Sequence, residues 1–594
     1  MVRKVVFAFP LVLSILLCSV ESRGTPFVDT QNGRILGRTI KVTPWQFPDS
    51  ETIVVEAYTK IPYAESPVGE LRYKHPVKKV WTGEVDATKP NVACPQVPLI
   101  GFTVEMEETE DCLYLDVFVP SPRPNSAAVM VWIHGEGVYA VAGSVSEQLP
   151  IPLSSYGKVI VVSFNYRLGM LGFLNTGDGE IPANLGMFDQ REALIWVQEN
   201  IAAFGGDPGR VTIFGESAGG ASVNFHLLSP LSAGLFRGAI LQSGNALCEI
   251  GYADLVEKTF EFGKGAGCDF NNSKDLAECL RGRSLEELKD GYIFMNVHAR
   301  HIEFTPVVDG HFLNDTPLKL MQQGHVNVDN VLHGDLLNER FCFTIYGRLA
   351  SRGYFPPPVL SLDDFKNHLA NFFKIDDPLI QDTIVFELSD SAHITGNKTD
   401  YFKELTDAFT SILLCPVNPF ANLLSTAGKT VYRYPTTHHP SPPIWAGLTD
   451  EDDIPIFGGG PLLHKREYVP RGMSGFSDGA EEAAFSRQIM RYWSNFAKTG
   501  NPNLSTQDPK EANNPLDLEE WQPFKYGERY NEELDSGFPT KEGVMKAKGC
   551  HFWTTIFPKM MAQSFELSKL KTMLADQVAA HSTGTCDGDS CPEE

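Results

Sequence analysis

Beyond its first 22 residues the chain has no apolar run near the roughly 20 residues that a membrane helix needs, so no membrane span is expected. Its acidic end, Pro592, Glu593 and Glu594, lacks the hydrophobic tail of a lipid-anchor signal. Positive charge is scarce: 50 Lys and Arg against 74 Asp and Glu give a formal charge of -24, which repels phosphate backbones and argues against a nucleic-acid partner. There is no CxxC pair, no HExxH and no phosphate-cradling GxxxxGK, so no metal and no cofactor are expected. Repeats, long Gly/Ser linkers and low-complexity blocks are missing before the tail, which favours one large domain over several.

What is present points to export. Arg3 and Lys4 precede the apolar run Val5 to Cys18 and a stretch of small residues near Ser19 to Ser22, the pattern of a signal peptide over 1–22. Its removal takes away two positive charges and one negative, leaving -25. Of eleven cysteines Cys18 leaves with the signal, and ten remain in an oxidising compartment where pairing is expected. The tripeptides at Asn271, Asn314, Asn397 and Asn503 fit N-x-[ST] and agree with secretion to the extracellular space. Two acidic runs, Glu105 to Asp111 and Asp450 to Asp453, read first as solvated loops.

Between Ala127 and Ile213 apolar strands alternate with a helix: "AAVMVWIHG", "KVIVVSFNYRLG", the helix-like "FDQREALIWVQENIAAFG", then "RVTIFG". That succession argues for an α/β class with a large, mostly parallel central sheet covered by helices on both faces. From about Met561 the chain becomes helix-like and then polar, ending in a tail over 561–594. Directly after "VTIF" come Gly215, Glu216, Ser217, Ala218 and Gly219, then the helix-like "ASVNFHLLSP". A bare G-x-S-x-G arises by chance in about one chain in four of this length and glycine content. A strand before it and a helix after it are what a nucleophile elbow requires, because the turn needs small neighbours to lift the serine oxygen above the sheet.

The stretches "NYRLGMLGFL", "NLGMFDQREALIWVQENIAAFGGDPGRVTIFGESAGGASV" and "LFRGAILQSG" resemble the cholinesterase and type-B carboxylesterase family, as do "IPYAESPVGELRYK" and "EDCLYLDVFVPSP". The likeness runs in order from about Val28 to Lys559 and implies an α/β-hydrolase domain over 23–560. It also implies disulfides Cys94 with Cys112, Cys268 with Cys279, and Cys415 with Cys550. Cys248 and Cys342 then read as small buried hydrophobes, while Cys586 and Cys591 are open to pairing with each other or with another chain.

Acyl transfer by Ser217 needs a base, a carboxylate to orient it, and donors for the oxyanion. By resemblance the carboxylate is Glu339, and the donors are the N–H groups of Glu136, Gly137 and Ala218. The family places its histidine in a segment that here reads "IWAGLTDEDDIPIFGG". With Trp445, Gly447, Asp453 and Ile454 setting the register, Asp450 occupies the histidine's place. A carboxylate with an ordinary pKa of about 3.9 is a far weaker base at neutral pH than an imidazole at about 6.5. Loss of the histidine alone costs on the order of 10⁶ in a serine protease. After His134 and Gly135, where the family has glycines, Glu136 brings a second acid to the place where negative charge must develop. Losing one good donor there costs about 10² to 10³. His438, His439 and His464 do not keep the family's spacing. The Cys94–Cys112 loop holds no tryptophan for a choline cation, which argues against choline esters.

These residues lead to a secreted, catalytically impaired or inactive carboxylesterase-like protein that uses the fold for binding or adhesion, its partner an extracellular protein. A carrier of a hydrophobic small ligand, and a slow serine esterase with Glu136 as an unusual base, are the competing readings. Nothing in the sequence sets the oligomeric state.

Overall fold

The computed structural model describes residues 25–42, 52–96, 106–135, 150–247, 255–298, 304–336, 359–373, 375, 377–388, 400–401, 404–405, 408, 411, 415, 417–436, 480–503, 520–525, 550–564, 566–567 and 570. A small sheet joins β1 (Phe27–Thr30), β2 (Gly33–Leu36) and β5 (Glu84–Asp86). The large sheet comprises β3 (Arg38–Val42), β4 (Ile53–Pro62), β6 (Tyr114–Pro120), β7 (Ala127–Ile133), β8 (Ile160–Phe164), β9 (Gly206–Glu216), β10 (Gly238–Gln242), β11 (Asn330–Leu336) and β12 (Thr430–Thr436). Its order is β12-β11-β10-β9-β7-β8-β6-β4-β3. The run from β12 to β8 is parallel, and β6, β4 and β3 add an antiparallel edge. This is the expected α/β class with a mostly parallel sheet.

Strand β7 shows why. Val129, Val131 and Ile133 enter one core with Leu194 and Val197 of the helix Leu185–Asn200 and Val223, Phe225 and Leu227 of the helix Ala218–Leu228. Ala128, Met130 and Trp132 enter the opposite core with Phe485, Ile489, Trp493 and Phe496 of the helix Ala480–Thr499. Side chains alternate across a strand, so a strand covered on both faces must be apolar throughout. A third core gathers Phe365, Leu369, Ile380, Ile384, Phe552 and Trp553 from the helices Leu362–Phe373 and Pro378–Leu388 and the chain after Cys550.

The helix before β9 begins at Leu185 and ends at Asn200, followed by a tight turn over Ile201–Phe204 and then Gly205 at φ 88°. It buries polar as well as apolar residues: Asp189 takes Arg167 in a bidentate pair at 2.7 Å on each oxygen, with both side chains out of solvent. That pair docks the loop after β8 against the helix, and isolated buried charges would otherwise be costly.

Disulfides join Cys94 to Cys112, Cys268 to Cys279, and Cys415 to Cys550, as the resemblance implies. In the acidic run before Cys112, Glu107 and Asp111 are exposed as expected, while Glu108 and Glu110 depart from the expected solvated loop. Glu110 forms a largely buried pair with Arg72, whose guanidinium also donates to the carbonyls of Leu280, Arg281 and Arg283, and Glu108 meets Lys289 at 2.8 Å. These cations reach the run from distant segments and anchor the first disulfide loop to the chain that follows the second. Among the described residues no helix is long and apolar enough to cross a membrane.

Candidate active site

Strands β8 and β9 leave β7 in opposite directions across the sheet. In an open α/β sheet the crevice at such a reversal, beyond the carboxyl ends of the strands, is where ligands bind. The ends of β7 and β9 deliver His134 with Gly135 and Ser217 to that crevice.

Ser217 is the hinge between β9 and the helix Ala218–Leu228, at φ 53° and ψ -121°. A side chain at positive φ is strained by about 1–3 kcal/mol and persists only where its surroundings enforce it. Here the enforcement is backbone packing. The Ser217 N–H donates to the Gln242 carbonyl at 2.9 Å, and its own carbonyl accepts the Ala221 N–H at 3.0 Å. A Cβ at Gly135 would lie 1.9 Å from the Gly219 nitrogen, one at Gly219 2.1 Å from the Ile133 oxygen, and one at Gly244 1.9 Å from the Ser217 oxygen. Glycine is the residue that lets three backbones approach so closely. Ser217 is half-buried between buried Glu216 and Ala218.

Ala218 opens the helix, where first-turn N–H groups have no intrahelical acceptor and the helix dipole presents its positive end. That suits the oxyanion donor the sequence assigns to it. Glu136 and Gly137, which would supply the companion donors, lie outside the described residues, as do Glu339, Asp450, His438, His439 and His464. The segment 1–22, the Asp450–Asp453 run, Cys248, Cys342, Cys586, Cys591, Asn397 and most of 561–594 lie outside them too.

Among the described residues no imidazole is hydrogen-bonded to the Ser217 hydroxyl. His134, His226 and His333 are buried, and burial pushes each down to about 3, so all are neutral near pH 7. His226 is committed elsewhere, to Ser232 at 2.8 Å and Gln190 at 3.0 Å. His134 stacks on Tyr166 at 4.3 Å, whose hydroxyl donates to the His134 carbonyl. The His333 ring lies 4.7 Å from that of Phe420.

Sequence reasoning missed the segment Gln242–Ala246, which packs against the back of Ser217 through main-chain contacts. "LFRGAILQSG" contains part of it, but a carbonyl acting as an acceptor leaves no side-chain signature.

Of the potential glycan acceptors, Asn271 and Asn314 are exposed. Asn503 is not free in the same way: its amide donates to Asn501 Oδ1 and the Trp521 carbonyl and accepts the Trp521 N–H.

The profile of the carboxylesterase family matches residues 24–553. The acetylcholinesterase of Bungarus fasciatus is 34% identical over 558 residues, covering 90% of this chain and 87% of that protein. With a strand-to-helix turn at Ser217 at the end of β9 and a match over nearly the whole length, the chain belongs to the carboxylesterase family.

Proposed function

We propose that this chain is a secreted member of its family in which hydrolysis at Ser217 is crippled, and that it acts as a binding or adhesion protein outside the cell. The observation that carries the reading is Asp450 in the histidine's register, between Trp445 with Gly447 and Asp453 with Ile454. An aspartate there, close to Glu339 in the family's arrangement, sets two carboxylates together, and one of them holds a proton rather than orienting a base. Glu136, an oxyanion-hole residue by the resemblance, adds a third acid to the sequence of the site. The signal over 1–22, the catalytic-type domain over 23–560, the tail over 561–594 and glycans at the exposed acceptor sites complete the proposal. An extracellular protein is the favoured partner, with a hydrophobic small ligand as the other candidate.

Short-chain nitrophenyl esters test it. The wild type should turn over at least about 10⁴-fold more slowly than an ordinary esterase, a discount on the histidine loss quoted above. Asp450→His combined with Glu136→Gly should gain activity that neither substitution gives alone. Ordinary turnover by the wild type would sink the proposal.

A further inference from the structure

Ser217 holds its strained backbone because the segment after β10 is pressed against it, and that segment is itself tied down by one buried side chain. We propose that Asn224 is a positioning residue for Ser217, acting through Gln242–Ala246. The proposal rests on the nucleophile reading of Ser217 for only one of its two readouts below.

Asn224 stands seven residues after Ser217, two helical turns along the same face. Its Oδ1 accepts the Ala246 N–H at 2.9 Å, and the residue is fully buried. Two residues before Ala246, the Gly244 backbone meets the Ser217 carbonyl so closely that a Cβ would lie 1.9 Å away. Two residues before that, the Gln242 carbonyl takes the Ser217 N–H. A Cβ at Gly220, on the helix between the two, would lie 3.0 Å from both the Gln242 and Gly244 oxygens. The helix therefore grips one five-residue segment at both ends, by main chain at Ser217 and by side chain at Asn224.

The composition of the grip is informative. Asn224 Nδ2 is buried with no hydrogen-bond partner among the described residues. An unsatisfied amide in a core is a liability that leucine, with the same number of side-chain heavy atoms, would avoid. Its side chain's one bond is the acceptor for Ala246, the bond that orders the nucleophile's support. Asn245 repeats the pattern, with Oδ1 accepting the Leu247 N–H and Nδ2 unpartnered, so the segment is stiffened by its own side chain as well.

Hydrogen exchange of the full chain separates positioning from general stabilisation. Asn224→Leu trades one unsatisfied buried amide for another, the Ala246 N–H, and should exchange the Ser217 amide and the amides of 242–247 at least tenfold faster, with the helix Leu185–Asn200 unchanged. Asn224→Asp keeps an oxygen for Ala246 and should retain slow exchange at Ser217 while lowering overall stability through its buried acid. Unchanged protection at Ser217 in the leucine variant, or an equal loss throughout the core, overturns the proposal. If the leucine variant does not fold, the aspartate variant decides: selective loss of protection at Ser217 overturns it, and retention supports it. The second readout is capture of a labelled fluorophosphonate in the Asp450→His, Glu136→Gly background. There Asn224→Leu should slow the maximal labelling rate at least tenfold at unchanged half-saturation, and an unchanged maximal rate would count against positioning. No capture at Ser217 even with Asn224 intact overturns the nucleophile reading, and the exchange data then decide the role of Asn224.

Discussion

Six of the described residues hold a side chain other than glycine's at positive φ, and two of them, Ser217 and Lys60, do so by different physics. At Ser217, φ 53°, the neighbours are glycine backbones and carbonyls. At Lys60, φ 60°, in the bulge of β4 opposite β6, the Lys60 N–H donates to the buried carboxylate of Asp116 at 2.8 Å, and Asn91 Nδ2 donates to the same oxygen at 2.9 Å. The elbow's strain is carried by close packing that does not titrate. The bulge's strain is carried by an ionisable group that burial pushes up to about 6. A site that must keep one shape at every pH is better served by the first device. The second makes a sheet edge responsive to acidity.

The largest expected effect breaks the elbow. Gly244→Ala places a Cβ 1.9 Å from the Ser217 oxygen, a backbone atom that cannot swing aside. Overpacking of a rigid site costs about 1–3 kcal/mol and more where backbone is struck, so a loss of at least about 3 kcal/mol is expected in urea unfolding. Gly282→Ala, with nothing within 4 Å, is the control and should be neutral or slightly stabilising. If both substitutions are equally mild, the elbow is not enforced by packing.

The contrast also explains what could be read in advance. The buried strands were legible because both faces of the sheet are covered, which leaves a continuous apolar run such as 127–133. The turn at Ser217 and Ala218 was legible because a tight strand-to-helix turn needs small residues. Asn224, the Gln242 carbonyl and the Lys60–Asp116 contact were not. Each acts through a main-chain partner that only folding brings near, from 22 to 56 residues away. Within the acidic run, Glu108 and Glu110 depart from the expected solvated loop for a related reason. A row of like charges does not announce which member will meet a cation, and Arg72 reaches Glu110 from 38 residues upstream.

The next effect concerns the carboxylate. Asp116 binds its proton more tightly folded, at about 6, than in an unfolded chain near 3.8. A raised folded pKa means that the stability it contributes is complete below about 3.8 and is lost as pH rises through about 6. Asp116→Asn keeps the acceptor for Lys60 and removes the buried charge. It should therefore stabilise the protein by about 1–3 kcal/mol at pH 7.5, with the gain shrinking toward zero near pH 4. Parallel denaturation curves of the two proteins at both pH values check this. A gain that does not depend on pH would show that the charge is not the source.

The smallest effect isolates the strain itself. Lys60→Gly removes a left-handed side chain, worth about 1–2 kcal/mol, but adds about 0.5–1 kcal/mol of unfolded-state entropy. It also gives up the Lys60 ammonium over the Tyr114 ring at 5.4 Å, worth about 0.5 kcal/mol at an exposed site. The balance lies between a loss of about 0.5 and a gain of about 1 kcal/mol, and because none of these contributions involves the Asp116 proton, it should be the same at pH 5 and pH 7.5. Measured beside Asp116→Asn, it divides the bulge into a part that titrates and a part that does not. A pH-dependent gain from Lys60→Gly would mean that the Lys60 conformation sets the Asp116 proton affinity, so that the bulge's two components act as one unit.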